Sequence, residues 1–227
     1  ADYPGSEEAR LAQRDLKSIY IDLNKVDDYL NFVATLPGGG NFDVNERDSL
    51  TYTAAERVYM RGETAEAKVS FTRYLQSFPQ GAFSVNAVYY LGVIAYGEKN
   101  YAEASTYLDK VLDYPDNPFS GEAMKLSAGI AFQNKDYGKA LGLYKRMADR
   151  VVSQEERMEA LQHALECARL SGDAEETIGM ASVLLAQSKL TPELANEARY
   201  ARAKARLGKG ESREAVDDLA ELAKDTR

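Results

Sequence analysis

The sequence predicts an all-α fold, an α-solenoid of about six antiparallel helical hairpins. Three observations predict it. A short phrase recurs at a nearly constant interval, apolar residues on both sides of it follow a helical period, and prolines stand where the second helix of a pair must end. Because one hairpin cannot bury its apolar face alone, such repeats are expected to stack in a row.

The recurring phrase is a short polar turn that leads into an alanine or a residue in its place. It is clearest as Lys-Asn-Tyr-Ala-Glu-Ala at 99–104 and Lys-Asp-Tyr-Gly-Lys-Ala at 135–140. Its last residue in five copies is, in order, Ala67, Ala104, Ala140, Thr177 and Ala215, at spacings of 37, 36, 37 and 38 residues. Such a regular interval indicates structural repeats.

Each copy of the phrase separates two stretches with helical periodicity. Apolar residues recur at steps of three and four before one turn and again after it: Val88, Leu91, Ala95 and Tyr96, then Tyr101, Ala104, Leu108 and Val111. The polar turn at 97–100 contains a glycine, and Pro79 and Pro115 follow the second helices of their pairs. Each unit is therefore predicted to be two antiparallel helices joined by a tight turn.

The chain divides into three predicted parts. Residues 1–36 form a degenerate first hairpin, residues 37–49 a Gly-rich linker loop, and residues 50–227 five further hairpins. The loop is either a flexible spacer or an element near the binding face. Asp2-Tyr3-Pro4 repeats the closing phrase at 113–115, so we expect the whole chain to be a segment of a longer repeat protein.

Composition limits the classes of partner. The formal net charge is −8, which disfavours nucleic acid and anionic membranes, because both attract basic surfaces. The chain has no apolar run near the roughly 20 residues that span a bilayer, so we expect no direct membrane insertion. The single cysteine permits no intramolecular disulfide, which suits the cytoplasm and leaves the periplasm open.

No residue pattern points to catalysis. His163 and Cys167 lie four residues apart and could share one helix face, but no third or fourth metal ligand accompanies them. A phosphate-binding glycine loop and a nucleophile–base set are both missing from the sequence. We therefore expect no catalytic residue, no cofactor and no metal, and no enzymatic activity.

The repeat resembles the tetratricopeptide repeat family. The third unit carries Leu91-Gly92, Tyr96, Tyr101, Ala104 and Pro115 at the family's signature positions. The resemblance implies a right-handed superhelix that binds proteins. At the position where Gly92 lets two helices approach, the fifth unit has Leu165 and the sixth has Arg202. We expect those two units to pack more loosely or at a different angle.

A second resemblance concerns the cell compartment. The phrases at 74–81 and 87–92 are similar to those of bacterial envelope repeat proteins, namely the outer-membrane assembly lipoproteins and the Tol-Pal coordinators. This resemblance implies the periplasm or cell envelope, and the cytoplasm stays open.

The family resemblance also implies a binding groove, because the first helices of these repeats line the concave surface. Carried over by position, the groove residues are Tyr52, Glu56, Tyr59, Tyr89, Val93, Tyr96, Lys125, Phe132, Gln162, Arg169, Arg199 and Arg206. Such a groove is aromatic in its first half and basic in its second. The implied function is a scaffold for a protein or peptide segment of unknown identity. The alternative is an architectural spacer or self-association module of a larger envelope protein, with a homo-oligomer possible.

Overall fold

A computed structural model describes residues 6–36, 42–115 and 117–224. Over these residues the chain forms twelve helices and no strand, which confirms the all-α prediction. The first helices of the pairs are α1 (Glu7–Asp22), α3 (Val44–Met60), α5 (Ser84–Gly97), α7 (Ser120–Gln133), α9 (Gln154–Ser171) and α11 (Pro192–Gly208). The second helices are α2 (Val26–Ala34), α4 (Thr64–Ser77), α6 (Tyr101–Asp113), α8 (Tyr137–Arg150), α10 (Ala174–Leu185) and α12 (Ser212–Lys224).

The chain separates into two compact units, residues 1–119 (unit 1) and residues 120–227 (unit 2). Unit 1 contains α1 to α6 and unit 2 contains α7 to α12, so each unit holds three hairpins. None of the helices in the described residues is long and apolar enough to cross a membrane. The phrase Asp2-Tyr3-Pro4 and the loop residues 37–41 lie outside the described residues.

The turn inside each hairpin has one recurring backbone feature. A residue with positive φ stands at the same repeat position in all six pairs: Asn24, Gly62, Lys99, Lys135, Gly172 and Gly210. These residues are 36 to 38 positions apart, so the repeat extends to the degenerate first hairpin as well. The next residue caps the second helix in three hairpins, where Asn100, Asp136 and Asp173 accept backbone N–H groups.

Helix α3 begins earlier than the sequence indicated. The linker was expected to reach residue 49, but α3 starts at Val44, so the loop assignment is wrong for residues 44–49. The cause is a capping box: the Asp43 carboxylate accepts the backbone N–H of Glu46, and the backbone N–H of Asp43 donates to the Glu46 side chain. This capping box satisfies backbone N–H groups in the first turn, and so stabilises the part of α3 that begins at Val44.

The small residues lie where two helices of a pair meet. Ala55 and Ala128 are fully buried, and a Cβ added to Gly92 would lie only 3.0 Å from the Cδ2 of Leu108. Helices α5 and α6 therefore approach closely at Gly92, as the repeat pattern predicts. Leu165, in the same repeat position of α9, is buried in the core of unit 2.

Candidate functional site

A surface of half-buried side chains on α3 and α5 is the candidate site, and we name it the tyrosine surface. Its residues are Glu56, Tyr59, Asn86, Tyr89, Tyr90, Val93 and Tyr96. Helix α5 contains no charged residue, so Glu56 is the only charge on this surface. The tyrosine surface includes five of the six groove residues predicted in the first half of the chain.

The same aromatic stack occurs twice in unit 1, once on α3 and once on α5. The rings of Tyr52 and Phe83 stack with centroids 4.5 Å apart, and those of Tyr89 and Phe119 stack at 4.4 Å. In each stack, a tyrosine of one first helix meets the phenylalanine that ends the loop after the same hairpin. Neither phenylalanine was among the predicted groove residues, although their separation of 36 residues matches the repeat interval.

Tyr52 does not line an open groove. Its side chain is only 3% exposed, and its ring contacts those of Phe71, Tyr74 and Phe83. The prediction that Tyr52 contacts a partner is therefore wrong, because the ring fills the space inside its hairpin. Burial, followed by the hydrogen bond to Glu56, raises the pKa of the Tyr52 phenol far above its ordinary value.

The other tyrosines contact one another at the surface. The Tyr59 and Tyr90 rings lie 4.7 Å apart, and Tyr89 lies 5.6 Å from Tyr90. Tyr90 also stacks on buried Phe71 at 5.2 Å, which fixes its ring. Tyr96 meets Tyr101 edge-on at 5.5 Å. Tyr90 was not among the predicted groove residues, because the groove positions carried over from the family omit it.

Glu56 is bound to this arrangement by its hydrogen bond with Tyr52. The Tyr52 hydroxyl donates to Glu56 Oε1 at 2.7 Å, and the Asn86 side-chain amide donates to the Tyr52 oxygen at 3.3 Å. The pKa of Tyr90 is raised, first by burial and then by the negative charge of Glu56. The Glu56 carboxylate therefore lies close enough to Tyr52 and Tyr90 to contribute to the raised pKa of both phenols.

The predicted basic half of the groove lies in unit 2, and its arginines already have partners. Arg169 pairs with Glu166 at 3.0 Å and with Glu197 at 3.4 Å. Arg199 donates to the side-chain oxygen of Asn196 at 3.1 Å. Among the remaining predicted residues, Lys125 and Gln162 are exposed, and half-buried Phe132 meets Tyr137 edge-on. A single groove continuous across both units stays a prediction.

Arg206 belongs to an ionic cluster between α11 and α12. Its guanidinium pairs with Asp218 at 3.0 Å, while Arg202 binds the same carboxylate through Nη2 at 2.6 Å and Nε at 2.9 Å. Arg202 also donates to the Ser182 hydroxyl at 3.0 Å. Since Asp218 is buried, Arg206 already holds an acidic group of its own chain, and its place in a binding groove stays a prediction. Counted back from the turn residue Gly210, buried Ala203 takes the small position in the sixth hairpin, so the prediction that Arg202 stands there is wrong.

His163 and Cys167 lie in different surroundings. Cys167 is buried, and burial raises the pKa of its thiol to about 11. His163 is exposed and stacks on Tyr144 with the ring centroids 5.0 Å apart. In the part of the chain that the structure describes, no group of three or more potential metal ligands occurs.

Comparisons with known proteins agree with the repeat. Residues 52–118 and 100–151 match the model of the tetratricopeptide repeat family, which supports such repeats from α3 to α8. No curated protein matches the chain. YrrB, a tetratricopeptide repeat protein with an unusual peptide-binding site, is 17% identical over 76% of this chain and 83% of its own, with a TM-score of 0.49. MamA from Desulfovibrio magneticus RS-1 is 17% identical over 78% and 93%, with a TM-score of 0.46. These two likenesses concern the fold alone.

Proposed function

We propose that this chain is a non-catalytic protein-protein interaction scaffold that holds a segment of a partner on the tyrosine surface. One observation supports it most. Tyr59, Tyr89 and Tyr90 contact one another on one face of α3 and α5, and stacking on Phe71 and Phe119 fixes two of the rings. Tyrosine is enriched among the residues that dominate binding energy in protein interfaces.

The fixed rings favour binding on energetic grounds. A side chain that is already held in one rotamer loses little conformational entropy when a partner covers it, so more of the contact energy remains as affinity. The hydroxyl of each tyrosine also lets a polar backbone be bound at an apolar surface. The net charge of −8 supports a protein or peptide partner over nucleic acid. The cell envelope is our proposed location, and it rests on the resemblance of 74–81 and 87–92.

The test is a selection of random twelve-residue peptides, displayed on phage, against the purified chain. We expect the wild type to select binding peptides, and the double variant Tyr89→Ala/Tyr96→Ala to bind them at least about ten-fold more weakly. Circular dichroism checks that the variant keeps its helices. Tyr200→Ala is the matched control, because Tyr200 is 55% exposed and lies on α11, outside the helices that carry the tyrosine surface. Unchanged binding by the double variant would reject the proposal, as would a selection that yields no peptide.

Self-association is a second candidate function, and an uncovered apolar face on α12 favours it. Leu219 is 40% exposed, whereas Phe71, Leu108 and Ala181, at the same repeat position of other hairpins, are all at 0%. Val216 beside it is also exposed. We propose that a second copy covers this face with its α1, on which Leu11 and Ile19 are exposed next to basic residues.

Charge complementarity supports that choice of occupant. Acidic Asp217 is exposed next to Val216 on α12, and basic Arg10 is exposed next to Leu11 on α1. Sedimentation velocity over a hundred-fold range of concentration should show reversible assembly, lost in Val216→Ser/Leu219→Ser. The control is Val69→Ser, an equally exposed valine on α4, which should assemble like the wild type. A chain that stays monomeric over the whole range excludes this function.

A further inference from the structure

Glu56 is a half-buried carboxylate whose only described hydrogen bond comes from Tyr52. No lysine or arginine in the described ranges lies within ion-pair distance of it, and its second oxygen accepts no hydrogen bond from these residues. Other half-buried glutamates differ in this respect: Glu103, Glu176 and Glu211 each pair with a lysine at 2.5 to 2.9 Å. An acidic group left without a cation in a partly dry site attracts one.

The groups around Glu56 suit a cation as well. Tyr59 and Tyr90 present π-systems, which attract positively charged groups placed over their faces. The side chains of α5 bring no competing charge, so nothing on this helix neutralises the carboxylate. The site therefore combines one negative charge, aromatic rings and partial exclusion of water in one place.

We propose that the tyrosine surface binds an arginine side chain of the partner segment, with the guanidinium on Glu56 and beside the rings of Tyr59 and Tyr90. The inference rests on the proposed function, because it assigns the chemistry of the segment held there. Arginine fits better than lysine, since a planar guanidinium can stack on a tyrosine ring while donating to a carboxylate. A compact ammonium group is more strongly hydrated and cannot stack in this way.

The test uses the same random-peptide selection, run in parallel on the wild type and on Glu56→Gln. Glutamine keeps a side-chain oxygen that accepts the Tyr52 hydroxyl, so the substitution removes the charge with little change in shape. We expect arginine to be enriched at one position of the peptides selected by the wild type. That enrichment should be lost with Glu56→Gln and kept with Glu98→Gln, which removes the same charge from the turn after α5.

A double-mutant cycle then measures the contact itself. For a selected peptide, replacing its arginine by glutamine should lower affinity about ten-fold for the wild type and less than two-fold for Glu56→Gln. Equal losses for both proteins would overturn the inference and show that Glu56 serves Tyr52 only. Enrichment of lysine, or peptides without any enriched cation, would also overturn it while leaving the proposed function intact. A selection that yields no peptide would overturn both.

Discussion

Units 1 and 2 share the backbone conformation of their turns but differ in the side chains of their cores. In unit 1, aromatic rings stack between neighbouring hairpins, as in the pair Tyr52 and Phe83. In unit 2, the core consists mainly of alanine, leucine and methionine, and the last hairpin adds a buried ionic cluster around Asp218. The comparison teaches that the two units share backbone positions at their turns and differ in the side chains that fill the contacts between helices.

The fifth and sixth hairpins show this difference between side chains. Leu165 and Met180 are buried in the same core cluster of unit 2. In the sixth hairpin Asp218 takes the repeat position of Met180, and Arg202, which precedes buried Ala203, pairs with it through two hydrogen bonds. A buried acid at a position that the fifth hairpin fills with methionine is thus tolerated because Arg202 pairs with it.

The largest effect is expected from removing the acid of this pair. Asp218→Ala leaves the guanidinium groups of Arg202 and Arg206 without their carboxylate, and should lower the free energy of unfolding by about 3 kcal/mol. Urea unfolding followed by circular dichroism measures it. The matched control is Asp217→Ala, an exposed neighbour in the same helix, with an expected change below about 0.5 kcal/mol.

A paired substitution sharpens the same comparison. Arg202→Leu/Asp218→Met replaces the shortest ion pair of this cluster by apolar residues and leaves Arg206 its bond to the Glu214 carbonyl, so it should recover most of the stability lost in Asp218→Ala. A double variant as unstable as Asp218→Ala would mean that Arg206 also needs this carboxylate.

The second prediction concerns close helix packing in unit 1. Gly92→Leu must displace the Leu108 and Tyr107 side chains, whose atoms would lie 3.0 to 3.3 Å from an added Cβ. Such overpacking should cost about 2 kcal/mol. Gly142→Leu on α8 is the matched control, because a Cβ there has no neighbour within 4 Å and the substitution favours the helix. Equal stability of the two variants in thermal unfolding would show that α5 and α6 are not limited by Gly92.

Much of the fold could be predicted from the sequence, because periodicity is a backbone property that each repeat carries separately. The hairpins, their turns and the small position at Gly92 follow from this periodicity. Contacts between hairpins could not be predicted in the same way. The stack of Tyr52 on Phe83 and the pairing of Arg206 with Asp218 depend on which side chains of different helices meet. For this reason two of the predicted groove residues proved to be engaged inside the protein.

The third prediction tests a buried polar contact beside the tyrosine surface. The Tyr74 hydroxyl donates to the Asp48 carboxylate at 2.5 Å, and the backbone N–H of Ala82 donates to the same group. Tyr74→Phe removes a donor from a buried charge and should cost about 1.5 kcal/mol. Exposed Tyr114→Phe should cost nothing measurable. A neutral Tyr74→Phe would mean that water replaces the hydroxyl.

The same tyrosine gives a pH dependence with a definite sign. Burial raises the pKa of Tyr74 above the ordinary value near 10, so the unfolded chain loses this proton first as pH rises. Stability from the neutral phenol is therefore fully present below pH 10 and decreases above it. Tyr74→Phe should make the fall in unfolding free energy between about pH 10 and 11 less steep than in the wild type.

The smallest effect is expected in the turns, where the two units should behave alike. Gly62 in unit 1 and Gly172 in unit 2 have φ of +80° and +76°, and a Cβ at either position would have no neighbour within 4 Å. Gly62→Ala and Gly172→Ala therefore measure the backbone cost alone, and each should destabilise by about 1 kcal/mol. Lys99→Gly is the reverse test: Lys99 already has φ of +61°, so glycine should relieve strain there and change stability by less than about 1 kcal/mol. Unequal costs for the two alanine variants in urea unfolding would contradict this expectation. They would mean that the two units differ in the backbone of their turns as well as in their side chains.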